Sequence, residues 1–305
     1  MAVSRAVIDV EQLTKYYATA VGVEDLTFHV NPGEVFGYLG PNGAGKTTTI
    51  RTVLDLIRPT RGRAHVFGLD ARGASVEIHR RIGYLPGELR LYDRMTVSDT
   101  LRYLSELRGG VQWGHVEDLA GRLDLDIDKR VSALSHGNRQ KVGLVQAFMH
   151  RPELVVLDEP TSGLDPLMQQ EFYRLVDETR DDGRTVFLSS HVLPEVERVC
   201  DRVGIIRRGR LVAVEHVSDL KGKAVRKVEI RFGESVPADV FEGVPGVTEL
   251  RIHDSLVRCS VTGEMDGLVK AAARFHVEQL LAEEPSLEDV FLAFYGETAV
   301  EREER

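Results

Sequence analysis

The chain has only two cysteines among 305 residues, Cys200 and Cys259. They are too few and too isolated for a disulfide framework or a metal site. Both read as small buried hydrophobes. No apolar run approaches the ~20 residues that cross a bilayer. The strongest, such as Leu154-Val155-Val156-Leu157, have the length of strands. The chain therefore cannot span a membrane as a helix on its own. Met1 to Val10 carries charges where a signal peptide needs an apolar centre, which predicts a protein that is not secreted. Positive charge is not in excess, with 39 Lys and Arg against 48 Asp and Glu and a formal net charge of −9. Residues 226–305 hold 9 of those basic and 17 of those acidic residues, so nearly all the excess acid lies there. Phosphate repels such a segment, which argues against a nucleic-acid partner.

What is present suits a globular protein: 42% hydrophobic and 29% charged residues. The length and the charge shift suggest two domains, 1–225 and 226–305, with a boundary near Lys221–Val225. Val7–Val10, Leu26–Val30 and Val35–Leu39 read as strands, with Asn31-Pro32-Gly33 as a turn. A helix is expected from Lys46, ending before Pro59. Residues of about 88–150 turn helical: Val97, Leu101, Leu104 and Leu107 share one face, and Val142, Val145 and Met149 share another. Leu154–Leu157 and Thr185–Leu188 are strands flanking a helix at about Gln169–Thr179, a spacing that favours a parallel α/β sheet. Val203–Arg207 and Leu211–Val214 form a hairpin turning at Arg208-Gly209-Arg210. Beyond it, strands are expected at Val228–Phe232, Val247–Ile252, Leu256–Val261 and Val277–Leu280. Helices are expected at Val240–Glu242, Gly267–Phe275 and Leu287–Tyr295, and the tail from Glu301 to Arg305 is expected to fray. That order is compatible with a small α+β domain of the ferredoxin-like split type.

Gly40-Pro41-Asn42-Gly43-Ala44-Gly45-Lys46-Thr47 fits G-x-x-x-x-G-K-[ST] between a strand and a helix. Glycines let successive backbone N–H groups turn inward around phosphate oxygens at a helix N-terminus. Lys46 supplies a mobile positive charge, and the Thr47 hydroxyl offers a hard oxygen to Mg²⁺. A phosphate loop alone does not choose among kinases, GTPases, motors and transport ATPases. A second cluster narrows the choice. It comprises Leu134-Ser135-His136-Gly137-Asn138, then Leu154–Leu157 running into Asp158-Glu159-Pro160, then Ser162-Gly163-Leu164-Asp165, then Ser189-Ser190-His191.

With these motifs in this order, residues of about 7–220 resemble the ATP-binding-cassette (ABC) ATPases. The resemblance implies a P-loop NTPase fold, a mixed sheet core with a helical subdomain. It likens residues 40–47 to Walker A, 134–138 to the family signature, 154–159 to Walker B with its glutamate, and 162–165 to the D-loop. It implies that Gly40 to Thr48 hold the phosphates of ATP, including Pro41, Asn42, Gly43, Ala44, Gly45, Lys46, Thr47 and Thr48. Thr47 and Asp158 hold Mg²⁺. Glu159 polarises the attacking water, and His191 holds the γ-phosphate. Ser135, Gly137 and Asp165 complete the site of a second copy, so two chains sandwich two ATP molecules. An aromatic stacks on adenine, Tyr17 being the better candidate and Tyr16 the runner-up.

One position departs from the family. After Ile82-Gly83-Tyr84-Leu85-Pro86, a glutamine is usual, and here Gly87 and Glu88 follow. The helical region after it, from Leu91 to about Gly110, is where the family docks its membrane subunit. One cassette without a spanning segment implies a detached subunit on the cytoplasmic face of the membrane, serving a separate permease. Residues 134–141, 85–88 and 285–292 resemble the ABC-2 branch, which includes drug-export ATPases of the daunorubicin-resistance type, and so imply export of a small molecule. The alternatives are an importer ATPase, or an ATP-gated dimerisation module with negligible turnover. A small-molecule kinase or GTPase leaves the signature and Asp165 without a role.

Overall fold

The structure is a computed structural model that describes residues 6–223 and 225–283. Strand β1 (Ile8–Tyr17) pairs antiparallel with β2 (Ala20–Val30). Next come β3 (Val35–Leu39), the glycine-rich turn and helix α1 (Lys46–Val53). Strands β4 (Arg61–Val66) and β5 (Leu69–Asp70) complete an antiparallel sheet in the order β2-β1-β4-β5. Helix α2 (Ser75–Arg80) and β6 (Ile82–Leu85) lead into the helical region. There, α3 (Val97–Leu107), α4 (Trp113–Arg122) and α5 (His136–Phe148) fall within the expected stretch. The chain returns through β7 (Leu154–Asp158), α6 (Pro166–Asp181), β8 (Thr185–Ser190) and α7 (Leu193–Val199). Strands β9 (Arg202–Arg207) and β10 (Arg210–His216) are neighbours joined at Arg208 and Gly209, both left-handed, as a tight hairpin turn requires.

The second sheet runs β10-β9-β3-β8-β7-β6, and β9, β3, β8, β7 and β6 are mutually parallel. Strands β3, β7 and β8 are buried at every residue, which is why Val35–Leu39, Leu154–Leu157 and Val186–Leu188 read as apolar runs without alternation. Phe28 of the first sheet stacks on Phe36, Tyr38 and Phe187 of the second, at ring-centroid distances of 5.8, 5.5 and 6.3 Å. Each such pair contributes roughly 1 kcal/mol beyond area burial. This cluster holds the two sheets together.

Two helix readings need correction. Val97 and Leu101 of α3 are buried, but Leu104 is half-buried and Leu107 is 66% exposed, so the apolar stripe leaves the core before the helix ends. Helix α5 buries Leu144, Ala147 and Phe148 besides Val142 and Val145. It is a core helix covered on most sides rather than an amphipathic one.

The described chain divides between Glu215 and His216 into two compact units. The second unit includes α8 (Val217–Lys223), which lies before the expected 225/226 boundary. Strands β11 (Arg226–Phe232), β12 (Val247–His253), β13 (Leu256–Val261) and β14 (Val277–Ala282) form an antiparallel sheet in the order β12-β13-β11-β14. Helix α9 (Asp266–Ala272) joins β13 to β14, which gives the split β-α-β order. The first connecting helix is only a three-residue 3-10 turn, Ala238–Val240, set between Pro237 and the left-handed Gly243. Ile230, Phe232, Phe241, Val257 and Leu268 fill this unit's core. The expected helix at Leu287–Tyr295, the motif at 285–292 and the tail lie outside the described residues.

Candidate active site

Parallel register brings the motifs together. Leu39 of β3 pairs with Ser190 of β8, and Ser189 of β8 pairs with Asp158 of β7. The carboxyl ends of three adjacent strands therefore end in the glycine loop, the Asp158-Glu159 pair and Ser189-Ser190-His191. This is the edge where open α/β sheets bind ligands.

In the loop, Gly43 and Gly45 take φ of 78° and 113°. A Cβ at Gly45 would stand 2.7 Å from Val23 Cγ1 and 2.8 Å from the Gly22 carbonyl oxygen. Only glycine fits there. The backbone turns inward and starts α1, whose first turn holds no acidic residue. Lys46 Nζ donates to the carbonyl oxygens of Gly40 at 2.6 Å and Pro41 at 3.2 Å, and lies 3.0 Å from Glu159 Oε1. Glu159 Oε2 meets His191 Nδ1 at 2.7 Å. Lysine, glutamate and histidine thus form one continuous chain. Tyr38, buried beneath α1 and bonded to Thr49, has its phenol pushed far up by desolvation and stays neutral.

Asp158 is 0% exposed. Its Oδ2 accepts from Thr47 Oγ1 at 2.7 Å, and its Oδ1 accepts from Ser189 Oγ at 2.5 Å. Among the described residues no Lys or Arg pairs with it. A buried carboxylate held only by hydroxyls, with a second hard oxygen beside it, is a fitting pair of ligands for a divalent cation. Gly87 lies against the same carboxylate, where a Cβ would come within 3.0 Å of Asp158 Oδ2. Glu88 is exposed, and no described bond joins it to Asp158. Tyr84 on β6 also faces this region; burial first, then the Asp158 charge, pushes its phenol up to about 12.

Tyr17 ends β1 with 47% exposure. Its ring edge and Thr48 Cγ2 both crowd the space at Gly22, which places the ring beside the first turn of α1. Tyr16 instead donates its hydroxyl to Glu24 Oε1 at 2.9 Å. Of the two rings, that of Tyr17 stands open to solvent beside α1, while the Tyr16 hydroxyl is engaged.

Ser135, Gly137 and Asp165 form a separate cluster. Ser135 caps α5 by accepting from Asn138 N at 3.3 Å, and Asp165 caps α6 by accepting from Leu167 N and Met168 N. A Cβ at Gly137 would overlap the Gly163 carbonyl oxygen, so the two loops pack against each other. Among the described residues, no hydrogen bond or ion pair joins these three to Lys46, Thr47, Asp158 or Glu159.

Two residues with roles here received none from the sequence. Ser189 bonds Asp158, and its hydroxyl and carbonyl both accept from Glu159 N at 3.2 Å. Gln140 of α5 donates to the carbonyl oxygens of Glu159 and Pro160, at 3.1 and 3.0 Å. A hydroxyl at the end of a buried strand beside His191 was the available signal for Ser189. For Gln140, it was an amide within a helix that proves to be buried.

The family model described as "ABC transporter" matches residues 23–162, and one described as "AAA domain, putative AbiEii toxin, Type IV TA system" matches residues 130–196. The bacitracin transport ATP-binding protein BcrA of Enterococcus faecalis is 31% identical over 97% of this chain and 98% of its own length. BcrA of Bacillus licheniformis is 33% identical over 95% and 97%. A solved structure of an ATP-binding subunit of an ABC transporter superposes with a TM-score of 0.65 at 31% identity, over 70% of this chain and 92% of that one. Likeness along nearly the full length of such relatives decides the matter that the phosphate loop alone left open: the chain belongs to the ABC transporter ATP-binding proteins and is an ATP-binding, ATP-hydrolysing transporter subunit.

Proposed function

We propose that this subunit hydrolyses ATP as a sandwich of two copies and drives a separate membrane permease that exports a small, drug-like molecule. The observation that carries the reading is the continuous chain Lys46–Glu159–His191 beside the Thr47–Asp158 pair, with Ser135, Gly137 and Asp165 grouped elsewhere on the same chain. One copy holds the phosphates on residues 40–48 and stacks adenine on Tyr17. A second copy presents Ser135 Oγ and the Gly137 N–H from the start of its α5, where the helix dipole favours an anion.

Glu159 accepts the proton of the attacking water, and His191 orients Glu159 through Nδ1. Lys46 offsets phosphate charge. Thr47 and Asp158 are the residues that would hold Mg²⁺, which when bound supplies positive charge to the phosphate oxygens.

Export agrees with the bacitracin transport proteins among the relatives. No described helix is long and apolar enough to cross a membrane; the permease would hold the subunit at the cytoplasmic face. A groove of about 810 Å³ between α2 and α3, lined by Val76, Leu104 and Leu107 together with His79, Arg80 and Arg108, is the place we assign to a segment of the permease. No nucleic-acid partner is proposed.

Glu159→Gln tests the reading. Turnover is expected to fall at least about a hundredfold, while a stable dimer forms with ATP and magnesium. Equal, slow turnover in wild type and Glu159→Gln would favour the second reading, an ATP-gated dimerisation module, which the close approach of Gly87 to Asp158 motivates.

A further inference from the structure

One carboxyl group behind the active site is buried without a cation. Glu195 lies in the first turn of α7 and is 1% exposed. Its Oε2 accepts from Ser190 Oγ at 2.5 Å, and Ser190 Oγ in turn accepts from Val192 N at 2.9 Å. The carboxyl therefore ties down the residues on both sides of His191. The other oxygen, Oε1, is buried with no hydrogen-bond partner, although the Thr161 hydroxyl stands beside the carboxyl. Thr161 belongs to the loop that follows Glu159.

Titratable and charged groups face Glu195 from several elements. The loop after β7 presents Glu159, whose charge opposes ionisation of Glu195; the loop after β8 presents His191, which favours it. Helix α6 presents the Tyr173 phenol, with Arg198 near it but engaged with Asp177. The end of α7 presents the Cys200 thiol, with Asp201 beyond it. No described Lys or Arg pairs with the carboxyl. The Ser190 and Thr161 hydroxyls can each donate to the ionised carboxylate and so favour it, but burial without a cation outweighs them. Burial accordingly pushes Glu195 up to about 7.

We propose that Glu195 is a positioning residue whose neutral form, anchored on Ser190 and standing beside Thr161, holds the two loops that carry His191 and Glu159 in register. Loss of the proton places a second negative charge behind Glu159, and the repulsion between the two carboxylates loosens the contact between His191 and Glu159. This rests on the catalytic reading of Glu159 and His191 given above.

The test compares full-length wild type with Glu195→Gln, whose amide keeps one acceptor and one donor and cannot ionise. The ratio of variant to wild-type kcat is expected to rise about tenfold between pH 6 and pH 8.5, with KM for ATP within about twofold because the phosphate loop is untouched. Taking the ratio cancels the titration of other groups. A flat ratio would overturn the proposal. Difference infrared spectra provide a readout independent of activity. A protonated-carboxyl C=O band is expected in wild type at pH 6, absent from Glu195→Gln and lost as pH rises through about 7. Its absence at pH 6 would also overturn the proposal. If Glu159→Gln retained full turnover, the catalytic reading would fail instead, and the infrared band would still decide the state of Glu195.

Discussion

Glu159 sits in the left-handed region at φ 52°, an unusual conformation for a side chain that large. Its N–H bonds to both oxygens of Ser189, and its carboxylate is held from two sides by Lys46 and His191. The surrounding contacts define this geometry, so small changes beside it matter. Ser189→Ala removes one bond from Asp158 and one from Glu159 N, and turnover is expected to drop about tenfold in a steady-state phosphate assay. Gly87→Ala places a Cβ 3.0 Å from Asp158 Oδ2. Magnesium-dependent turnover is expected to suffer more than nucleotide affinity measured with magnesium chelated; equal losses in both would contradict the placement of the metal at Asp158. Glu195 also makes a prediction about stability. Its folded-state value of about 7 lies above the ordinary carboxyl value of 4.5, so its contribution is fully present below 4.5 and is lost as pH rises toward 7. Glu195→Gln is therefore expected to be more stable than wild type at pH 8, by on the order of 3 kcal/mol in a denaturant or thermal unfolding measurement, and to match it at pH 4.5.

Helix α5 joins the two halves of the chemistry. Its N-terminus carries Ser135 and Gly137, and one turn further in Gln140 bonds the backbone just after β7. Gly143, in the next turn, leaves room for Leu85 and Leu89 from the strand and loop that precede α3. A displacement of α5 is therefore felt at Glu159 and at the Gly87 loop together. Gly137→Ala forces the Gly163 carbonyl aside. ATP binding to the single chain is expected to persist, since residues 40–48 do not move, while dimer formation with ATP in the Glu159→Gln background is lost. Light scattering with and without nucleotide measures both states.

At the scale of the whole molecule, the proposed sandwich leaves one chain with two incomplete sites. The charged chain from Lys46 to His191 and the capped pair Ser135 and Asp165 are not bonded to each other within one copy. Closing both sites with one contact requires a two-fold pairing of like surfaces. Turnover per chain is thus expected to rise with protein concentration until the dimer saturates. Specific activity that is independent of dilution down to nanomolar concentrations would exclude the sandwich. The second unit, with its own core and sheet, bears most of the excess acid.

The local rules of the chain were enough for the phosphate loop, the carboxylate pair, the buried strands and the split order of the second unit's sheet. Each is written in consecutive residues: glycines where φ is positive, unbroken apolar runs where both faces are covered, and acid at a strand end. Pairing across 19 or more positions has no such local signature. That Ser189 serves Asp158, that Gln140 serves Glu159, that Leu107 leaves the core, and that Gly87 rests against a carboxylate all depend on which strands lie side by side. Glu195 is the plainest case. In the sequence it is one acidic residue among 48, and it becomes a buried, cation-free carboxyl only when β7, β8, α6 and α7 enclose it. Desolvation is a property of the packed interior, and the packed interior exists only in the folded chain.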